Sequence, residues 1–300
     1  GVLQAPPPAP TLVQTPAHRW QRLRPIGQPI VRTHTATTTA TVAAASTPNW
    51  PPHRTGPVNF VLVTTQRSGS HFTMQMLKSH PEVTLMGNEL LLHAGGHMPK
   101  VESILDDFYT RRHGDQGVHG FKAVNEKQWG GMASAFAKHN VKVIFLWRQN
   151  RLRHIVSLMA KKEAGAHPLK GEQLEKVRSY LPKLPVGQEF EELLQELRAE
   201  KAAGEAQYAK FENMHVHYED IIATNSSCEA TWKRLQEFLG LPPRTLHTRF
   251  PAIHQFLKIE DTISNWSQVK MYLESKPEHR SLLLDAEENP TSVLNPACGG

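Results

Sequence analysis

The stretch that decides the reading is Val58-Asn59-Phe60-Val61-Leu62-Val63-Thr64-Thr65-Gln66-Arg67-Ser68-Gly69-Ser70-His71. Its first six residues are β-rich and nearly continuously apolar, as a strand covered on both faces requires. A helical pattern follows over 71–79, with Phe72, Met76 and Leu77 on one side and Pro81 just beyond its end. A tight strand-loop-helix turn of small residues aims backbone N–H groups at one spot and adds the positive end of the helix dipole. Together these suit a phosphate-like anion. Gln66, Arg67, Ser68, Gly69, Ser70 and His71 are therefore the candidate anion loop. The nucleoside-triphosphatase form, G-x-x-x-x-G-K-[ST], is absent, since the loop has neither a second glycine nor the lysine.

Outward from this unit, strand patterns recur at 119–124 and 141–147, and Leu152, Ile155, Val156 and Met159 recur at helical spacing after the second. Repeated βα units with short connections predict an α/β fold, a mostly parallel central sheet flanked by helices in a single P-loop-like domain. Arg148 then ends a strand at the carboxyl edge of the sheet, where open α/β sheets bind ligands. Ser157 lies on the following helix, opposite its apolar stripe, so the pair can grip a second anion through charge-assisted hydrogen bonds. Arg151 and Arg153 read as solvating the helix start. Residues 165–212 are charged, and Leu181-Pro182 and Leu184-Pro185 break two helical patterns, the second running over about 189–211. A solvated helical insertion is expected there in preference to a substrate lid.

Charge is distributed unevenly over the 300 residues. The net of +6 comes from 34 basic and 28 acidic side chains, yet residues 1–57 hold Arg19, Arg22, Arg24, Arg32 and Arg54 and no acid, the first being Glu82. The remainder is close to neutral, which removes the global case for a nucleic-acid surface. The same 57 residues hold 11 of the 22 prolines. Such composition cannot bury enough apolar surface to offset its ordering entropy, so a disordered tail is expected. Its acid-free, Thr/Ala-rich character fits a transit peptide, implying a plastid, and its prolines fit the stem of a trimmed Golgi enzyme, implying the Golgi lumen. The folded domain is expected over 58–285 and a short tail over 286–300. No run approaches the roughly 20 apolar residues of a membrane-spanning helix, so no transmembrane segment is expected. Neither a disulfide framework nor a zinc module can be read from Cys228 and Cys298, His93 and His97 straddle the helix-poor Ala94-Gly95-Gly96, and His215/His217 lack a third ligand in sequence reach, so no metal is expected.

The loop at 66–71 and the Arg148…Ser157 segment together resemble the sulfotransferases that use PAPS (phosphoadenosine phosphosulfate). The first is similar to the family's 5'-phosphosulfate loop, the second to its 3'-phosphate motif. Val216-His217-Tyr218-Glu219-Asp220-Ile221-Ile222, with Phe238-Leu239-Gly240-Leu241, is similar to the family's Y-E-D-[LI] strand and F-L-G-[LV] helix end. Asp261-Thr262-Ile263-Ser264-Asn265-Trp266 resembles its late I-x-N-[YW] segment. The spacing of nine from Arg148 to Ser157 is one longer than in cytosolic steroid and phenol members, and their C-terminal Arg-Lys-Gly lid is missing. The nearer branches are thus the bacterial or Nod-factor, Golgi carbohydrate and tyrosyl-protein ones. The resemblance implies PAPS as co-substrate, PAP as product, no metal, and a hydroxyl-bearing acceptor, carbohydrate or glycolipid. Glu89 matches the family's general base, and Lys122, in Gly120-Phe121-Lys122, matches a G-x-K that reaches the bridging oxygen or acceptor. Two other readings stay open: a non-catalytic nucleotide- or sulfated-glycan-binding protein on the same fold, and a P-loop kinase-like phosphotransferase.

Overall fold

β1 (Val58–Thr64) lies at the centre of a five-stranded sheet in the computed structural model. Residues 56–86, 98–111, 117–124, 132–164, 180–223, 226–248 and 258–287 are described, all within the unit spanning 50–300. Glu89, residues 1–55, 165–179 and 288–300, and His93, His97 and Cys298 lie outside them.

In chain order the elements are β1, α1 (Ser70–Lys78), β2 (Val83–Leu85), α2 (Met98–Thr110), β3 (Val118–Val124), α3 (Ala133–Lys138), β4 (Lys142–Trp147) and α4 (Arg151–Ala164). There follow α5 (Gln188–Tyr208), β5 (Asn213–His217), α6 (Tyr218–Ile222), α7 (Ser226–Phe238), α8 (Trp266–Glu274) and α9 (Arg280–Glu287). Short 3-10 turns lie at Ile259–Thr262 and Pro277–His279. The strand order is β2-β3-β1-β4-β5 and every pairing is parallel. The α/β class expected from the sequence is the observed one.

Burial explains why β1 reads as nearly continuous apolar sequence. Phe60 and Leu62 face Met76 and Leu77 of α1 and Trp232 and Leu235 of α7. Val61 and Val63 face Leu105 and Tyr109 of α2, Phe136 of α3 and Tyr208 of α5. All four β1 side chains are completely buried, and burial of this kind stabilises by about 1.5–3 kcal/mol for each large aliphatic or aromatic side chain. Neither face can then accept the polar alternate residues of a half-exposed strand.

The charged stretch expected as a solvated insertion turns out differently over its described part. α5 buries Phe190, Leu194, Leu197 and Tyr208. The first three pack with Leu152 and Ile155 of α4 and Val269 and Leu273 of α8, while Tyr208 joins the sheet. The Trp147 indole N–H also donates to Glu205 at 2.9 Å. Its charges occupy the outer face of a helix whose inner face belongs to the core. At the other end, α9 runs to Glu287, two residues past the domain boundary expected at 285.

A polar cluster ties α5 to the C-terminal elements. The Tyr272 hydroxyl donates to Glu191 Oε1 at 2.5 Å, and His279 Nε2 lies 2.5 Å from the same oxygen. Hydrogen bonds from Tyr272 and His279 hold the Glu191 carboxyl below the usual carboxylate range. A depressed folded-state pKa contributes stability that is present above the unfolded value of about 4.3 and lost as pH falls through the folded one. Glu191→Gln is therefore expected to lower the melting temperature at pH 7 and to have less effect at acidic pH. Equal losses in melts at pH 7 and pH 3.5 would exclude an ionised Glu191 as the tie.

Candidate functional site

The chain leaves β1 toward β2 and β3 on one side of the sheet and later fills the other side with β4 and β5, so the carboxyl ends of β1 and β4 flank a topological switch point. The loop after β1 and Arg148 after β4 both open there. Thr64 Oγ1 donates to the Leu146 carbonyl at 2.8 Å, fixing the two strand ends before either loop begins.

Within the loop, Thr65 and Ser68 hydroxyls lie 2.6 Å apart, and Gly69 N-caps α1 in the left-handed region at φ 84°. A Cβ on Gly69 would sit 2.1 Å from the Tyr218 ring, so both the backbone angle and the close approach require glycine. Arg67 is also left-handed, at φ 63°, which a long side chain rarely adopts and which surrounding contacts must maintain. Ser70 is buried at the first position of α1. His71, in the first turn, has a pKa below the ordinary imidazole value through partial burial and the nearby Lys122 ammonium. Lys122, opposite Leu62 in the β1–β3 register, is half-buried, and burial lowers its own pKa.

The second segment joins the first. Arg67 Nε donates to Ser157 Oγ at 3.0 Å, and Arg148 Nη1 reaches the Arg67 carbonyl at 3.5 Å. Arg148 is 7% exposed, lies over the Tyr218 ring at 5.1 Å, and its Nε is buried without a hydrogen-bond partner among the described residues. Burial pushes the pKa of both guanidinium groups down, and for Arg67 the Arg148 charge adds to it. Arg153, expected merely to solvate the helix start, is half-buried, its pKa pushed down to about 10 by burial and by Arg148. Arg151 is likewise half-buried, its pKa lowered first by burial. Lys161 Nζ donates to Gln66 Oε1 at 2.9 Å.

Buried cations gathered this closely call for an anion among them. The carboxylate set against this group is Glu219, 3.9 Å from Arg148 Nε, but it already accepts the Gln149 and Asn150 backbone N–H groups at 2.9 and 3.0 Å. Asn150 Oδ1 in turn accepts the Arg153 N–H at 2.9 Å, an N-cap for α4. The structure thus brings Gln66, Arg67, Ser68, Gly69, Arg148 and Ser157 together, with Ser70 and His71 following the loop on α1. Ser157 meets the loop arginine directly. Tyr218, Glu219, His154 and Lys161 are additions to the expected set. The sequence pattern places Tyr218 and Glu219 on a strand, but β5 stops at His217 and they open α6, which turns both side chains toward Arg148.

Among the described residues no group of three His, Cys, Asp or Glu side chains is placed to hold a metal ion, and no helix is long and apolar enough to cross a membrane.

No protein-family model matches the chain, and no curated protein does. Among solved structures it is similar to mouse sulfotransferase SULT7A1 complexed with PAP, at 15% identity and a TM-score of 0.40 over 62% of this chain and 59% of that one. It is also similar to the sulfotransferase domain from the curacin biosynthetic pathway, at 13% identity and a TM-score of 0.38 over 62% of this chain and 75% of that one. The chain therefore spans less than two thirds of the length of the mouse protein.

Proposed function

We propose that this chain transfers a sulfuryl group from PAPS to a hydroxyl acceptor, of the carbohydrate or glycolipid class. One observation carries the reading: buried Arg148, whose Nε makes no hydrogen bond among the described residues and has only a long 3.9 Å contact to Glu219, stands beside a left-handed anion loop whose Arg67 is tied to Ser157. Two anion-binding segments so joined suit a ligand bearing two separate phosphate-like groups. PAPS has them, at the 5' and 3' positions of one ribose.

In this reading the acceptor oxygen attacks sulfur in line while the bond from sulfur to the bridging phosphate oxygen breaks. PAP leaves with the electron pair. Arg67, the loop N–H groups and Lys122 stabilise charge developing on the leaving phosphate. Glu89 takes the acceptor hydroxyl proton. Arg148 holds the 3'-phosphate and fixes the nucleotide's register.

The expected outcome in a thermal melt is a clear upward shift with PAP and a much smaller one with ATP, because ligand bound to the native state alone raises its stability. Arg148 awaits a 3'-phosphate that ATP lacks. Equal shifts with both nucleotides, or a larger one with ATP and magnesium, would favour the kinase-like alternative. Strong PAP binding without sulfuryl transfer from labelled PAPS to any of a panel of hydroxyl acceptors would favour the non-catalytic binder.

A further inference from the structure

His154 lies one turn before Ser157 on α4 and is completely buried beneath the anion loop. Its Nε2 is 2.6 Å from the Gln66 carbonyl oxygen. A carbonyl only accepts, so Nε2 carries the proton and donates it. Nδ1 is buried without a hydrogen-bond partner among the described residues. Burial, with Arg148, Arg151 and Arg67 nearby, pushes the His154 pKa down to about 3 and keeps the ring neutral.

The peptide it grips joins Gln66 to Arg67, the residue held at φ 63°. A peptide has two faces. With its carbonyl toward the cations and the anion position, the loop would present a partial negative charge where a phosphate must sit, and the Arg67 N–H would point away. With the carbonyl held down on His154, the opposite follows. Neither Gln66 nor Arg67 favours the left-handed angle by residue type, so surrounding contacts hold it, and the His154 N–H on the Gln66 carbonyl is one of them.

We propose that His154 is a positioning residue, a neutral N–H donor that locks the Gln66–Arg67 peptide in its anion-binding orientation. Ser157 and Lys161 complete the same support, the first on Arg67 Nε and the second on Gln66 Oε1. α4 thereby sets the geometry of a loop distant from it in sequence. A ring that is already neutral holds this bond unchanged over the physiological pH range, whereas a protonated one would add a fourth cation among Arg67, Arg148 and Arg151. The proposal concerns the anion grip and rests on the PAPS reading only for the choice of nucleotide probe.

The test measures PAP and inorganic pyrophosphate affinity, together with the ligand-free melting temperature, for three variants of the full chain. His154→Leu removes the donor and is expected to weaken both ligands at least tenfold while lowering the ligand-free melting temperature by no more than roughly a few degrees, as the Gln66 carbonyl loses its donor. His154→Gln, which can place an amide N–H near the same point, is expected to recover affinity to within about threefold of wild type. His154→Asn is too short to reach and should bind as weakly as the leucine variant. A leucine variant with wild-type affinity overturns the proposal. Should that variant fail to fold, equal affinities for the glutamine and asparagine variants overturn it instead. Wild-type binding of pyrophosphate but not PAP removes the PAPS reading and leaves the His154 comparison intact with pyrophosphate. Binding of neither ligand removes both.

Discussion

Arg148→Met is expected to weaken PAP by about 2–3 kcal/mol, roughly 30- to 150-fold, the range for losing hydrogen bonds to a charged group in a buried setting. Methionine keeps the apolar stem on the Tyr218 ring, so the loss isolates the guanidinium. The same substitution is expected to leave the ligand-free protein as stable as wild type, or more stable. It removes a buried cation whose Nε has no hydrogen-bond partner among the described residues and whose charge depresses the Arg67 pKa. Glu219 is not stranded by the change, because its two backbone N–H partners remain. Opposite signs for ligand affinity and ligand-free stability distinguish a binding residue from a structural one. Isothermal titration with PAP and a parallel melt decide it. A destabilised variant with unaltered affinity would make Arg148 a tie between β4 and the loop.

What the sequence disclosed and what it hid follow from how each residue type behaves when buried. β1 was legible because both of its faces are covered, so Phe60, Val61, Leu62 and Val63 are successively apolar. The anion loop was legible because Gly69 and its small neighbours stand where a strand turns into a helix. α5 misled because its charges dominate any average, although Phe190, Leu194 and Leu197 stand at helical spacing beneath them. Arg153 misled for a related reason: a long side chain that starts at a helix surface can run its stem inward. His154 was invisible because its partner is a backbone carbonyl 88 positions away, for which no residue type gives notice. Tyr218 and Glu219 belong to a legible motif, yet the sequence pattern puts them on a strand, since Val216 and His217 continue the β pattern up to the residue where it ends. The short α6 begins with Glu219 and Asp220 in its first turn, where acidic groups are stabilised by the helix dipole.

The general base proposed above, Glu89, lies outside the described residues. Glu89→Gln preserves size and hydrogen-bonding capacity while removing basicity. Turnover is expected to fall by about two to four orders of magnitude, the range for a general base, with PAP binding near wild type. That split matters because a residue that takes the acceptor proton during sulfuryl transfer contributes to the transition state and not to nucleotide affinity. The competing base is His71. Lying in the first turn of α1, it is kept toward its neutral form by partial burial and by Lys122, and a neutral imidazole can accept a proton. Single-turnover sulfuryl transfer from labelled PAPS, run for Glu89→Gln and His71→Ala side by side, separates the two. A glutamine variant at full rate beside a dead alanine variant would move the base to the helix start. It would also remove Glu89 from the proposed mechanism.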